Sequence, residues 1–228
     1  MSLQECLRVV QFGDSMLPVG SFAFSAGLET AIAQKVVHDV PTLRQYAATV
    51  RRQAATCDGV ALLHAHRCAT NTNLDGVFAA DQAVYNRKLS EETRNMSVST
   101  GLKLAELTLP MVPSKVLQDW RDAIAAGHTP GTYPVGLGVV FAGIGASEAE
   151  AFAVHLHGTT ALMLNAALRL MRVDHNHTQQ LLFELNSTID DDYAEVAGDA
   201  LDAMASFAPV ADILASIHVG AHIRMFMN

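Results

Sequence analysis

Clusters of lysine and arginine are missing from this chain, as are long apolar runs, paired cysteines and any abundance of aromatic side chains. Each absence removes a class of protein. There are 15 basic against 23 acidic residues, a net charge of −8. No stretch concentrates the basic ones, so nothing supplies the phosphate-neutralising stripe that nucleic acid requires. Cys6, Cys57 and Cys68 form no Cys-x-x-Cys pair, and an odd count does not suit a disulfide framework. Reduced thiols in a cytoplasmic protein are expected. The longest apolar stretch, Tyr133 to Ala146, carries a proline and four glycines and falls short of the ~20 residues needed to cross a bilayer. No basic region followed by an apolar core stands at the N-terminus, so neither a secretory leader nor a membrane span is expected.

What is present points to helices. Half of the 228 residues are hydrophobic but only 6% are aromatic. Alanine, leucine, valine and methionine therefore build the core, which favours closely packed helices over a β-sandwich. From Ser147 onward, Phe152, Leu156, Thr160, Met163, Leu164 and Ala167 recur at three- and four-residue steps and fall on one stripe. Ser147 and Glu150 can form a capping box. Tyr193, Val196, Ala197, Ala200, Leu201 and Met204 repeat the pattern after Asp190-Asp191-Asp192, whose carboxylates suit a helix N-terminus. Earlier in the chain, Pro41 and Thr42 open a helix through Arg52, and Asp58 can cap another through His66. Ser90 starts one that ends before Pro110, and Pro113-Ser114 starts a short one holding Trp120. Residues 127–131 read as a loop. Alternating strand patterns and repeats are absent. The expected fold is all-α, a single-domain bundle of about ten helices over residues 1–228.

Three motifs carry potential chemistry. Val9 to Ser15 looks like the Gly-Asp-Ser nucleophile block of GDSL-type esterases, with Asp174 and His177 available as an Asp-x-x-His. Ser15 would attack, His177 would take its proton, and Asp174 would orient the imidazole. That chemistry needs parallel strands alternating with helices and an oxyanion hole, and the sequence offers neither signal. The pairs His64/His66, His155/His157 and His175/His177 suit nickel or zinc by donor type. Residues two apart on a helix diverge by about 200°, however, so the first two pairs cannot chelate one ion. His157 reads as a packed core-edge residue and His155 as solvated. His175 and His177, in an expected loop, are the weak metal candidates, with an exposed polar turn as the plainer reading. Gly136, Gly138, Gly143 and Gly145 lack the spacing of a dinucleotide fingerprint and fit close helix–helix approach better.

Five ordered segments resemble a known family. Asp14-Ser15-Met16-Leu17-Pro18-Val19-Gly20-Ser21-Phe22, with Ser25-x-Gly27-Leu28-Glu29, is similar to the N-terminal signature of UreF, the urease accessory protein. Arg87 to Ser97 with Gly101 resembles its central helix motif. Tyr133-Pro134-Val135-Gly136-Leu137-Gly138 resembles its Tyr-Pro-Val glycine segment, and Arg169 with Gln179 its Arg-to-Gln stretch. His218 with Arg224-Met225-Phe226 resembles its C-terminal ending. Arg172 and Thr178 stand where many members carry a proline and a glycine, and Val219 stands in place of a glutamate.

The resemblance implies an all-α cytoplasmic homodimer without a catalytic site. Such a protein binds the accessory protein UreD/UreH, recruits the GTPase UreG, and docks on the urease apoprotein to deliver nickel. No tightly bound cofactor is implied, only nickel in transit, and neither nucleic acid nor membrane is a partner. The resemblance assigns Glu29, Tyr133, Arg169, Gln179, His218 and Arg224 to partner interfaces or the nickel passage. Four of them have a structural alternative. Glu29 can be a surface charge or cap partner, and Arg169 can serve the C-terminal end of its helix. Gln179 can fix its loop, and Tyr133 can be a packed anchor with a tethered hydroxyl. Arg94 is expected to pair with Glu91. The apolar tail, about residues 206–228, is expected to order on UreD/UreH binding.

Overall fold

The computed structural model describes residues 2–14, 16–218 and 225–226. These form twelve α-helices with no strand among the described residues, an all-α bundle. In order the helices are α1 (Leu3–Gly13), α2 (Leu28–Ala33), α3 (Val40–Gln53), α4 (Val60–Thr70), α5 (Leu74–Arg87) and α6 (Glu91–Thr108). They continue with α7 (Lys115–Ala125), α8 (Tyr133–Gly143), α9 (Glu148–Leu170), α10 (His175–Asn186), α11 (Ile189–Val196) and α12 (Pro209–His218). A strand-borne Gly-Asp-Ser nucleophile has no sheet to stand on here. Ser15 itself lies outside the described residues, and Asp174 and His177 are spent on capping α10.

Sequence signals for helix starts hold where a side chain supplies the first orphan amide with an acceptor. Ser90 accepts from Thr93 N at 3.1 Å and Ser114 from Leu117 N at 3.3 Å. Ser147 and Glu150 close the capping box, at 3.2 Å and 2.7 Å. Asp58 departs from its expected role as a cap. The chain runs as one rod from Val40 to Thr70, and Ala54–Gly59 is a π-helical stretch within it. A π stretch inserts one residue into the turn and re-aims the side chains around it, so Asp58 points into the protein. The repeat ending at Met204 also breaks early. α11 stops at Val196, because Gly198 follows and Arg67 Nη2 donates to the Ala197 carbonyl at 2.7 Å.

Two apolar clusters share α9. The larger packs α4–α8 with the first half of α9 around Trp120, Phe141 and Phe152. The smaller joins α2, α3, the second half of α9, α10, α12 and Phe226. α8 is buried on every face from Pro134 to Phe141, which explains why that segment shows no amphipathic stripe. Its glycines let it press on its neighbours, as expected. A Cβ at Gly138 would come within 2.5 Å of the Leu62 carbonyl oxygen, and one at Gly136 within 2.7 Å of the Trp120 ring.

The loop before α8 is folded around one carboxylate. Asp81, on α5, is fully buried. Its Oδ2 accepts from Trp120 Nε1 at 3.1 Å, Thr129 Oγ1 at 2.7 Å and Gly131 N at 2.8 Å. Its Oδ1 accepts from Thr132 N at 2.8 Å and Thr132 Oγ1 at 2.6 Å. No cation pairs with it among the described residues; five donors take the place of water. In Asp81→Asn an amide NH₂ faces N–H and O–H donors. A cost of about 2–4 kcal/mol is expected, a fall in Tm of roughly 4–16 °C for a chain of this size. Thermal denaturation followed by circular dichroism measures it.

Candidate functional site

The π stretch turns a second carboxylate inward. Asp58 meets Lys88, just beyond α5, with Nζ at 2.7 Å and 2.9 Å from its two oxygens. Both side chains are mostly buried. Burial alone would raise the Asp58 carboxyl, yet the Lys88 ammonium and the His155 ring hold it well below the usual range. Burial would likewise lower Lys88, but Asp58 opposite, helped by Cys57 and Asp212, leaves it above an ordinary lysine. Burial first, and then the Asp58 charge, push the Cys57 thiol up to about 12. At neutral pH it is a protonated, unreactive thiol.

This pair lines a cavity of about 210 Å³, walled by the end of α1 and the segment from Leu17 to Ala26, α3 and its π stretch, the α5–α6 junction, the start of α8, α9 and α12. His155 reverses its expected exposure and so does His157. His155 is only 5% exposed and sits 3.7 Å from Asp58, too far for a hydrogen bond. Neither ring nitrogen has a hydrogen-bond partner among the described residues, nor has the buried hydroxyl of Ser97. His157 is the exposed one and meets Asn186 Nδ2 at 2.9 Å. The two histidines lie at opposite edges of the α9 stripe. The π stretch packs over the His155 edge, which the pattern of α9 alone does not reveal. Tyr133 opens α8 beside this group, its ring 6.3 Å from that of His155. Burial pushes its hydroxyl up to about 12. The tether expected for that hydroxyl is absent among the described residues.

Glu29 and Arg169 converge on the end of the chain. The Glu29 carboxylate accepts Met225 N at 2.7 Å and Phe226 N at 3.0 Å. The Arg169 guanidinium lies 6.0 Å above the Phe226 ring, within cation–π range. Phe226 is 6% exposed in the smaller apolar cluster. Arg169 occupies the last turn of α9 as expected. Gln179 stands exposed on the second turn of α10, away from this group. His218 ends α12 and its side chain lies outside the described part; Arg224 lies outside the described residues altogether. His175 and His177 fall in the first turn of α10 rather than a loop. Asp174 caps that helix and holds His177 Nδ1 at 2.6 Å. Among the described residues no three His, Cys, Asp or Glu side chains are grouped to hold a metal ion. Arg94 does not pair with Glu91; its Nη1 donates to the Lys88 carbonyl at 2.7 Å and so steadies the lysine's backbone.

Geometry thus defines the class first: a helical protein with no strand among the described residues, whose buried carboxylates Asp58 and Asp81 are met by an ammonium and by five hydrogen-bond donors. The UreF family model matches residues 37–186. "Urease accessory protein UreF 2" of Brucella canis is 48% identical over 227 residues, covering 100% of this chain and 93% of that protein. "Urease accessory protein UreF 1" of Brucella melitensis is also 48% identical, over 100% and 94% of the two chains. "Urease accessory protein UreF" of Yersinia enterocolitica is 46% identical over 230 residues, covering all of both. The chain belongs to the UreF family of urease accessory proteins, which are named for assisting an enzyme and not as enzymes.

The Asp58–Lys88 pair sets a measurable pH window. A carboxyl lowered by folding stabilises the protein above its unfolded value of 3.8 and loses that contribution as pH falls through the folded value. A lysine raised by folding contributes fully below 10.5 and loses its share as pH rises beyond. Between these limits the pair's contribution is flat. Lys88→Met leaves a buried carboxylate without its cation and is expected to cost about 3–5 kcal/mol. The Asp58→Asn/Lys88→Met double variant is expected to cost less than the two single changes together. Urea unfolding of the four proteins at pH 7, repeated at pH 4, tests both statements.

Proposed function

We propose that this chain works in the cytoplasm as the bridging component of a urease maturation complex. It joins UreD/UreH to the GTPase UreG and guides nickel, as cargo in transit, into the urease apoprotein. Family membership supports the coarse role. The observation that carries the finer one is a pair of helices with bare apolar faces. Leu3, Leu7 and Val10 line one side of α1, and Val210, Ile213 and Ile217 line one side of α12. All six are about half exposed or more. Spacings of three and four residues put each set on a single stripe. Stripes of this kind mark protein–protein contacts.

In this reading the α12 stripe receives UreD/UreH and the α1 stripe serves the homodimer. The turn between α9 and α10, edged by Arg169 and Gln179, faces UreG. A planar guanidinium suits a carboxylate there. Tyr133 belongs to the interior passage rather than to an outer surface, and the tail residues His218 and Arg224 belong with UreD/UreH.

Co-expression of the chain with UreD/UreH, UreG and urease apoprotein tests the proposal. Affinity capture of UreD/UreH is expected to retain the wild-type chain. It should lose Ile213→Asp by at least about tenfold, since a charge buried at an apolar contact costs more than the 1.4 kcal/mol that tenfold requires. Circular dichroism should be unchanged, because Ile213 faces solvent. Urease that gains full activity without this chain, or with Ile213→Asp in its place, would overturn the assignment.

A further inference from the structure

The cavity beside Asp58 and Lys88 balances its own charge. Two carboxylates and two cations line it, and each already has protein partners. Asp58 takes Lys88 Nζ on both oxygens. Asp212, on α12, accepts Gln53 Nε2 at 3.2 Å and 3.4 Å. The Arg87 guanidinium is spent on the carbonyls of Ala83, Met204 and Leu201, at 3.1 Å, 3.2 Å and 3.2 Å. Asp14 also belongs to the lining but is exposed, and it accepts Met16 N at 2.8 Å. Most of the remaining wall is apolar, with Leu17, Val19, Val50, Ala54, Met96 and Leu162 among its members. An ion entering this space would leave water and find no spare counter-charge among the described residues. The space therefore selects against charge.

Its other features suit an uncharged guest. Phe22 and Leu89 line the cavity and are exposed, so apolar side chains stand where it meets solvent. Tyr133 lines it too, and its hydroxyl, both donor and acceptor, has no hydrogen-bond partner among the described residues. Ser97 and His155 share that want in the same wall. At about 210 Å³ the volume exceeds the ~150 Å³ that admits a benzene ring and falls short of the ~300 Å³ at which drug-sized pockets begin. From this combination we infer that the cavity is a binding site for a small uncharged amphiphile, whose hydrocarbon body fills the apolar space and whose single hydroxyl or carboxamide head meets Tyr133. A hydroxyl or amide recovers at the phenol the hydrogen bond it gives up to water, which a pure hydrocarbon does not need and a charged head cannot match.

Benzyl alcohol is the probe, with benzoate and benzylammonium as comparators that keep the ring and change the charge. Each is titrated at pH 7 into the isolated full-length chain carrying ¹³C-labelled methionine methyls. Met96 reports from the cavity wall, and Met163, fully buried in the smaller cluster, is the control. Benzyl alcohol is expected to shift Met96 saturably with a Kd of ~1 mM or tighter, within the limit for so small a ligand, and to leave Met163 still. Both ions are expected to bind at least about tenfold more weakly. Tyr133→Phe removes only the hydroxyl and should weaken benzyl alcohol about fivefold, the worth of one neutral hydrogen bond. Gly158→Leu should abolish the Met96 shift. A Cβ at Gly158 meets no atom within 4 Å, so the leucine grows into open space beside α9, and circular dichroism checks that the fold is kept. Equal shifts at Met96 and Met163, or shifts that never saturate, would mean general solvation by the alcohol and overturn the site. Either ion binding as well as the alcohol would overturn the uncharged class, and that comparison needs no variant. Full affinity in Tyr133→Phe would overturn the placement of the head, and full affinity in Gly158→Leu the placement of the body. None of these readouts requires urease, UreD/UreH or nickel, so failure here leaves the bridging role standing.

Discussion

Asp81 is a buried carboxyl group with no cation beside it among the described residues, and its hydrogen bonding to five protein donors sets the geometry of the larger half of the molecule. A carboxylate taken out of water must recover its hydrogen bonds or lose its charge. Here the donors come from α7, through Trp120, and from the loop 129–132 that leads into α8. Satisfying the carboxylate fixes the entry of α8. α8 is apolar on all sides and has no polar face of its own to orient it. The glycines that let α8 approach α4 and Trp120 work only once that entry is set. The larger cluster therefore depends on a single polar group at its edge, and the tight packing around it follows.

A second buried polar group behaves differently. Asp58 and Lys88 satisfy each other, but the cavity beside them leaves His155 and Ser97 without hydrogen-bond partners among the described residues. An incompletely satisfied polar interior is costly, and proteins keep such sites where something other than stability selects them. The π stretch that delivers Asp58 is itself a feature concentrated at working positions in helical proteins. It costs a regular hydrogen-bond pattern over Ala54–Gly59 and yields an inward carboxylate flanked by a thiol.

Much of the architecture was legible in the sequence because local chemistry enforces it. Ser90, Ser114 and the Ser147/Glu150 box start helices in the structure, since an orphan amide needs an acceptor whatever the tertiary context. The glycines of α8 were readable as packing glycines because their spacing fitted no phosphate loop. Other features were hidden for definite reasons. Asp58 looked like a cap because Thr-Cys-Asp-Gly resembles a helix start, and a π stretch has no propensity signature. His155 and His157 were interchanged because both flank one stripe and only a neighbouring rod decides which flank is covered. Arg94 finds carbonyls at the end of α5 instead of Glu91, and no pattern along its own helix could disclose that. The candidate residues divide in the same way. Glu29 and Arg169 meet through the chain terminus, a long-range closure that spacing cannot encode, while Gln179 stands apart from them.

The two clusters also differ in how the chain assembles them, and this difference bears on where partners act. The larger one is built from consecutive helices, α4 through α8, closed by a polar keystone. The smaller one gathers α2 and α3 near the start of the chain, the second half of α9 with α10, and α12 with Phe226 further on. Two of its pieces are short, α2 with six residues and α12 with ten. Local opening is drawn from such regions because few contacts must break. The exposed stripe of α12 lies on one of these terminal elements, whereas α1 packs on the larger cluster through Phe12. A helper protein that must grip one partner and respond to another gains from placing its adhesive surfaces on parts that can move while α4 and α8 hold still. The cavity lies at the boundary between the two, with walls from both.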